Sequence, residues 1–185
     1  MAVAVPMKPP LLTRLQAGRT ALGPAVYAAV LSLVVLAAAG LVGILTHLPW
    51  LFPSLGPTVM LFFESPQEPS SRPSNTLVGH LTGAAMGVLC LYGFGLQHTP
   101  AAPTGGLTGS YVAAGALSVA LTTLALTWLK RPHPPAGATT LIVSLGILST
   151  PTQLLALVGA VVLVTALGWA LNLLLGTRPA DAAAS

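Results

Sequence analysis

Two stretches of this sequence set hydroxyl and glycine groups at the same spacing. Pro53-Ser54-Leu55-Gly56-Pro57-Thr58 and Pro134-Pro135-Ala136-Gly137-Ala138-Thr139 share a Pro-x-x-Gly-x-Thr frame, and Thr140 extends the second. Residues of these types suit the holding of a small anion rather than bond making. Proline ends a helix and fixes an extended approach, and glycine lets a ligand come close to the backbone. A helix that starts at such a point turns a partly positive end and unpaired N–H groups toward the ligand. Pro57 has no N–H to leave orphaned there. The hydroxyls of Ser54, Thr58, Thr139 and Thr140 offer further hydrogen bonds. The competing role for the same residues is simply to cap and pack two helices.

Two histidines join this set. His80 lies near the start of an apolar stretch and His133 opens the second motif. Imidazole titrates in the physiological range, so either ring could relay a proton or hold an anion once protonated; alternatively each is a neutral ring bonded to free backbone carbonyls. His47 and His98 fall in short connections. The four histidines have no paired spacing and the only cysteine, Cys90, lies in an apolar run, so neither a metal site nor a cofactor is expected. The sequence has no nucleotide-binding glycine loop, no nucleophile elbow and no Ser-His or paired-acid arrangement, so an enzyme is not expected either.

The elements that must position these groups are membrane elements. Of 185 residues, 54% are hydrophobic and 5% charged, with a mean hydropathy of +0.85; a soluble domain carries about 25% charged residues. No Asp, Glu, Lys or Arg occurs from Thr20 to Phe63, from Pro73 to Leu129, or from Pro132 to Thr177. Each stretch exceeds the roughly 20 apolar residues that span a bilayer. A net charge of +4 in this setting orients the chain and does not point to nucleic acid. Lys8, Arg14 and Arg19 before an apolar run, with Ala37-Ala38-Ala39 inside it, resemble a signal peptide, but the run is too long and suits a first transmembrane helix.

Four full helices are expected, at about Pro24 to Leu45, Asn75 to Leu96, Thr108 to Leu129 and Thr152 to Leu175, with Pro24 in a first turn and Asn75 as an N-cap. The apolar segments Pro49 to Phe63 and Pro132 to Leu148 are shorter and open with Pro and Gly. If both re-enter, Arg72, Lys130 and Arg131 face away from the other four basic residues; if both cross as an extended stretch plus a half-helix, all seven lie on one side. The expected fold is therefore an all-α polytopic membrane protein with six crossings, built as two inverted repeats of helix, broken half-helix and helix. Residues 1–19 form a cytoplasmic tail, 20–96 and 108–177 the repeats, and 178–185 a second cytoplasmic tail. Irregular backbone at membrane depth needs protein or a water-filled cavity around it, so the broken segments should meet inside the bundle.

The membrane segments hold no carboxylate, the usual partner of a transported cation, which favours an anion or a neutral molecule as substrate. Arg72, Lys130 and Arg131 could steer it. Gly79, Gly83 and Gly87 place small residues at every fourth position, a pattern for close helix packing within a subunit or between copies in a homo-oligomer. Trp50, Trp128 and Trp169 lie near segment ends, as in an interfacial belt.

At His133-Pro134-Pro135-Ala136-Gly137-Ala138-Thr139-Thr140-Leu141 the chain resembles the HPP family of small integral membrane proteins, named for that tripeptide. The likeness extends through Pro53 to Thr58, the Ser65-Pro66 and Pro69 loop, and Asn75 to Gly79-His80-Leu81, covering about residues 24–175. Where the family commonly has Pro-Arg-Asn, the order here is Arg72-Pro73-Ser74-Asn75. Members in cyanobacteria and plastids resemble nitrite transporters. The resemblance thus implies transport of a small anion, with nitrite the best single candidate; the Ala-rich, Lys-poor composition points to the inner membrane of a bacterium, and the basic residues place both termini in the cytoplasm.

Overall fold

The structure is a computed structural model that describes residues 9–18 and 20–177. Lys8, Arg19, Arg178 and the 178–185 tail lie outside the described residues, so the basic residues expected at both termini are represented by Arg14 alone. In chain order the helices are α1 (Leu11–Gln16), α2 (Leu22–Thr46), α3 (Leu55–Glu64), α4 (Pro73–Gly93), α5 (Ala102–Gly105), α6 (Gly109–Trp128), α7 (Ala136–Ser144) and α8 (Pro151–Leu174), with a 3₁₀ turn at Pro69–Ser71. The described residues contain no strand. Four helices, α2, α4, α6 and α8, are long and apolar enough to cross a membrane.

The four expected long helices are present with ends shifted by one to three residues. The short apolar segments fold as an extended lead followed by the half-helices α3 and α7. Three short pieces have no counterpart in the expected set: α1, the 3₁₀ turn and α5. The N-cap expected at Asn75 is also corrected. Pro73 occupies the first turn of α4, where a missing N–H costs nothing, so the cap falls on Arg72. Asn75 lies inside that turn, and its Nδ2 donates to the Pro69 carbonyl at 2.8 Å. Proline at the first position recurs in α8, which Thr150 and Gln153 close with a capping box.

The exits from α2 and α6 are alike. Each passes through a non-glycine residue in the left-handed region, His47 (φ 55) or Lys130 (φ 52). Each then runs through one residue and a proline to a ring: Leu48-Pro49-Trp50 and Arg131-Pro132-His133. The left-handed turn stops the helix and the proline, which lacks an N–H, prevents its resumption.

The helices pack in exchanged pairs. α2 lies on α3 and α6 on α7, while α4 packs on α6 and α7, and α8 on α2 and α3. Glycines set these contacts. A Cβ on Gly79 of α4 would lie 2.8 Å from the His133 Cβ, and one on Gly159 of α8 would lie 2.7 Å from the Trp50 indole. A Cβ on Gly87 would meet Val143 of α7 at 2.7 Å, and one on Gly168 would meet Phe62 of α3 at 2.5 Å. Hence the Gly79-Gly83-Gly87 face is occupied within the chain by the second broken segment, and close helix packing is what its spacing provides.

The surroundings of the two broken segments differ. Phe52, Leu55, Val59, Phe62 and Phe63 share one apolar core with residues of α2 and α8, including Val35, Ala39, Leu157 and Val164. A smaller cluster of Cys90, Leu91, Leu96, Ala102, Tyr111 and Ala114 closes the far end of α4. Between them, at the start of α7, the buried residues include the polar His133, Thr139 and Thr140.

Candidate functional site

The starts of α3 and α7 come together through side chains. Ser54 and Thr139 bring their hydroxyl oxygens to 2.7 Å. His80, almost two turns into α4, fills the space between the two starts: its Nε2 is 2.9 Å from Thr58 Oγ1 and its Nδ1 is 2.6 Å from Thr139 Oγ1. His133 lies edge-on to His80, with ring centroids 4.8 Å apart and the two Nε2 atoms at 3.2 Å. The other His133 nitrogen, Nδ1, is 2.8 Å from the Ser70 carbonyl oxygen. Ser54, Thr58 and Thr139 have no exposed surface, His80 has 1% and His133 2%. The sequence motifs therefore meet around an imidazole contributed by a third element.

The proton positions follow from which atoms are able to donate. A carbonyl oxygen only accepts, so His133 carries its hydrogen on Nδ1 and donates it to Ser70, which leaves Nε2 of a neutral ring as a lone pair. Thr58 donates to the Ser54 carbonyl at 2.8 Å, so its oxygen accepts from His80 Nε2–H. That same hydrogen faces the lone pair of His133 Nε2. His80 Nδ1 is then an acceptor, the Thr139 hydroxyl donates to it, and Ser54 donates to Thr139. With both rings neutral, every hydrogen of the five side chains has an acceptor inside the protein. Buried polar groups are tolerated only when satisfied in this way.

Not all the expected site residues enter this cluster. Adjacent helical positions point about 100° apart, and Thr140 accordingly faces α6. Its Oγ1 is 2.9 Å from Thr122 Oγ1 and 2.9 Å from the Ala136 carbonyl. Thr122 in turn donates to the Ser118 carbonyl. Gly56 and Gly137 are half-buried, and a Cβ on either would meet nothing within 4 Å. They border open space beside the half-helix starts rather than the hydroxyl-imidazole cluster. The N–H groups of the α7 start are also already engaged: Ala136, Gly137 and Ala138 donate to the carbonyls of His133, Pro134 and Pro135. Leu55 at the α3 start donates to Phe52. At α7, side chains rather than orphan amides are thus the polar surface of this site.

Thr122 and Ser118 were not among the residues singled out from the sequence, although polar residues four apart in an apolar helix mark a face turned to protein. The Ser70 carbonyl left no signal at all. It reaches His133 because Ser71 Oγ donates to the Leu61 and Ser65 carbonyls and folds the connection back under α3. Arg131 donates to Ser74 Oγ and Asn75 Oδ1 at 3.0 and 3.3 Å, which ties the lead of the second broken segment to the head of α4. His47 and His98 are exposed and distant in the chain from the cluster. Among the described residues no group of three or more His, Cys, Asp or Glu could hold a metal ion.

These features define an integral membrane protein whose broken segments converge on a buried hydroxyl-imidazole cluster. Residues 17–180 match the family model described as HPP, transmembrane region, and the chain belongs to that family. No curated protein and no solved structure matches it.

Proposed function

We infer that this protein carries a small anion across the membrane, with nitrite the best single candidate, and that it does no enzyme chemistry. The observation that carries this is the cluster itself: two interrupted helices face each other through hydroxyls and imidazoles, in membrane segments that hold no carboxylate. Such interruptions are tolerated only where protein or a water-filled cavity surrounds them, which suits a path through the bundle, and a site without acids suits an anion better than a cation. Ser54, Thr58, Thr139 and the two histidines are the contacts nearest the anion. Gly56 and Gly137 keep the adjoining backbone accessible, and Thr140 ties α7 to α6.

Six crossings arranged as two inverted repeats are part of the same proposal. The exchanged glycine contacts support it: His133 on Gly79 and Trp50 on Gly159, Val143 on Gly87 and Phe62 on Gly168, each pairing a broken segment with the third helix of the other half. Rocking of one half against the other would then open the cluster to either side in turn. A bacterial inner membrane, with the Arg72 and Arg131 side cytoplasmic, suits the charge distribution.

One observation favours a non-transporting role in which the broken segments serve only packing: the imidazole of His80 fills the space between Thr58 and Thr139, and the neutral cluster is fully satisfied. A permanently open channel fits that closed centre less well. Uptake by reconstituted vesicles separates these. A carrier gives saturable nitrite flux above protein-free vesicles, a channel gives large single-channel currents, and a packing protein gives neither.

A further inference from the structure

We propose that the cluster binds its anion only together with one proton, so that transport is an electroneutral symport of proton and anion. This rests on the anion reading above and adds its coupling. It comes from the hydrogen count around His80 and His133. In the neutral state Ser54 donates to Thr139, Thr139 to His80 Nδ1, His80 Nε2–H to Thr58 and His133 Nε2, Thr58 to the Ser54 carbonyl, and His133 Nδ1–H to the Ser70 carbonyl. An anion arriving there meets no free donor and no positive charge. Bringing it into a buried site on those conditions is prohibitively unfavourable.

One added proton changes both conditions. It takes the only lone pair that a hydroxyl can yield, His80 Nδ1, and the new N–H donates to Thr139 Oγ1. The Thr139 hydrogen, displaced from the ring, turns to Ser54 Oγ. The Ser54 hydrogen then has no partner in the cluster. The site has gained a unit positive charge and one donor without a partner, and a monovalent anion satisfies the two together. On the far side the anion and the proton leave, the hydroxyls turn back, and the neutral network closes. A proton on His133 Nε2, with His80 in its Nδ1–H tautomer, gives the same arrangement at Thr139 and Ser54, so the charge belongs to the histidine pair while the carbonyls stay acceptors throughout.

The groups around the rings leave the proton to this pair. α3 presents Ser54 and Thr58, α7 presents Thr139, and the 3₁₀ turn presents the Ser70 carbonyl. α8 and the neighbouring turn of α4 line a void of about 20 Å³ beside His80 with Leu157, Val158, Val161 and Leu77. The charged residues nearest in sequence are Arg72, Lys130 and Arg131, with Lys130 exposed and Arg131 engaged by Ser74 and Asn75. Glu64 and Glu68 are exposed.

The test uses full-length protein in vesicles carrying an internal pH indicator, with nitrite as the probe and protein-free vesicles subtracted for leak of the free acid. A proton gradient of one pH unit should drive accumulation of about tenfold, the ratio that one-for-one coupling sets, since a pH unit and a factor of ten are the same free energy. The lumen should acidify by one proton per nitrite, and a potassium-valinomycin potential should leave the rate unchanged. His80→Gln, which keeps a donor and an acceptor but takes no proton, should lose at least nine-tenths of the gradient-driven rate. Nitrite flux that follows the potential and leaves lumen pH unchanged overturns the coupling while preserving anion transport. Wild-type flux no greater than in protein-free vesicles under either gradient overturns both. These outcomes are read on the wild-type protein, so they do not depend on the variant folding.

Discussion

The two broken segments occupy corresponding places in the chain and share one apolar core, but they differ in how much of each is held by buried hydrogen bonds. The first leads in through Trp50 and continues as α3, whose Leu55, Val59, Phe62 and Phe63 sit in the main apolar core. The second leads in through His133 and continues as α7, whose Thr139 and Thr140 are fully buried against hydroxyls, an imidazole and a glycine-faced helix. α7 also gives Ile142 and Val143 to that core, so both segments are anchored by area, and the second adds buried hydrogen bonds to α6 that must all be made. Apolar contact tolerates small displacements, whereas a buried hydrogen-bond network loses a partner abruptly. On the proposed function, protonation turns the Thr139 hydroxyl of α7 and the Ser54 hydroxyl at the start of α3 together, while the apolar residues of α3 keep their places.

The largest expected effect lies at the glycines, where the two segments can be compared directly. A Cβ on Gly83 would fall 2.6 Å from the Ala136 carbonyl oxygen, which is backbone, whereas one on Gly168 would fall 2.5 Å from the Phe62 ring, a side chain. Gly83→Ala should therefore destabilise by about 3 kcal/mol and Gly168→Ala by about 1 kcal/mol, within the range for overpacking. Thermal unfolding of the two variants in detergent checks the order; equal losses would mean that the two halves are packed alike.

A second expectation concerns the hydroxyl at the junction. Thr139→Val keeps the shape but leaves Ser54 Oγ and His80 Nδ1 without their partner, at about 1–3 kcal/mol for each group left unsatisfied. Val59→Ala, on the apolar segment, should cost about 1–2 kcal/mol through lost burial while leaving nitrite flux above half of wild type. Flux lost in Val59→Ala and kept in Thr139→Val would overturn the role given to the hydroxyl cluster.

The leading rings should part in sign. Trp50 Nε1 is buried without a hydrogen-bond partner, so Trp50→Phe removes an orphan donor and should be neutral or stabilising by up to about 1 kcal/mol. His133→Phe breaks the contacts to Ser70 and His80 and should destabilise. The smallest effects belong to Gly56→Ala and Gly137→Ala, which meet open space. Both sit inside helices and should gain up to about 1 kcal/mol from helix propensity. Larger side chains there should slow nitrite flux without altering thermal stability.

The sequence by itself determined the membrane character, the four long helices and the two interrupted segments, because these depend on hydropathy summed over about 20 residues and on proline and glycine acting locally. It also supplied the chemistry of the site: hydroxyls, two imidazoles and no membrane carboxylate. It placed Ser54, Thr58, His80, His133 and Thr139 in one set without assigning them contacts. Only the tertiary structure decided that His80 would stand between Thr58 and Thr139, that Thr140 would turn to Thr122, and that Gly56 and Gly137 would border open space. Those outcomes depend on how α4 rotates against α7, and three glycines permit that approach. A helix in an all-apolar setting carries little amphipathic signal to fix its rotation beforehand. At α7 the expected free N–H groups are taken up for a related reason. The extended lead folds into tight turns whose carbonyls take up those donors first, a choice made by backbone geometry that residue type alone does not encode.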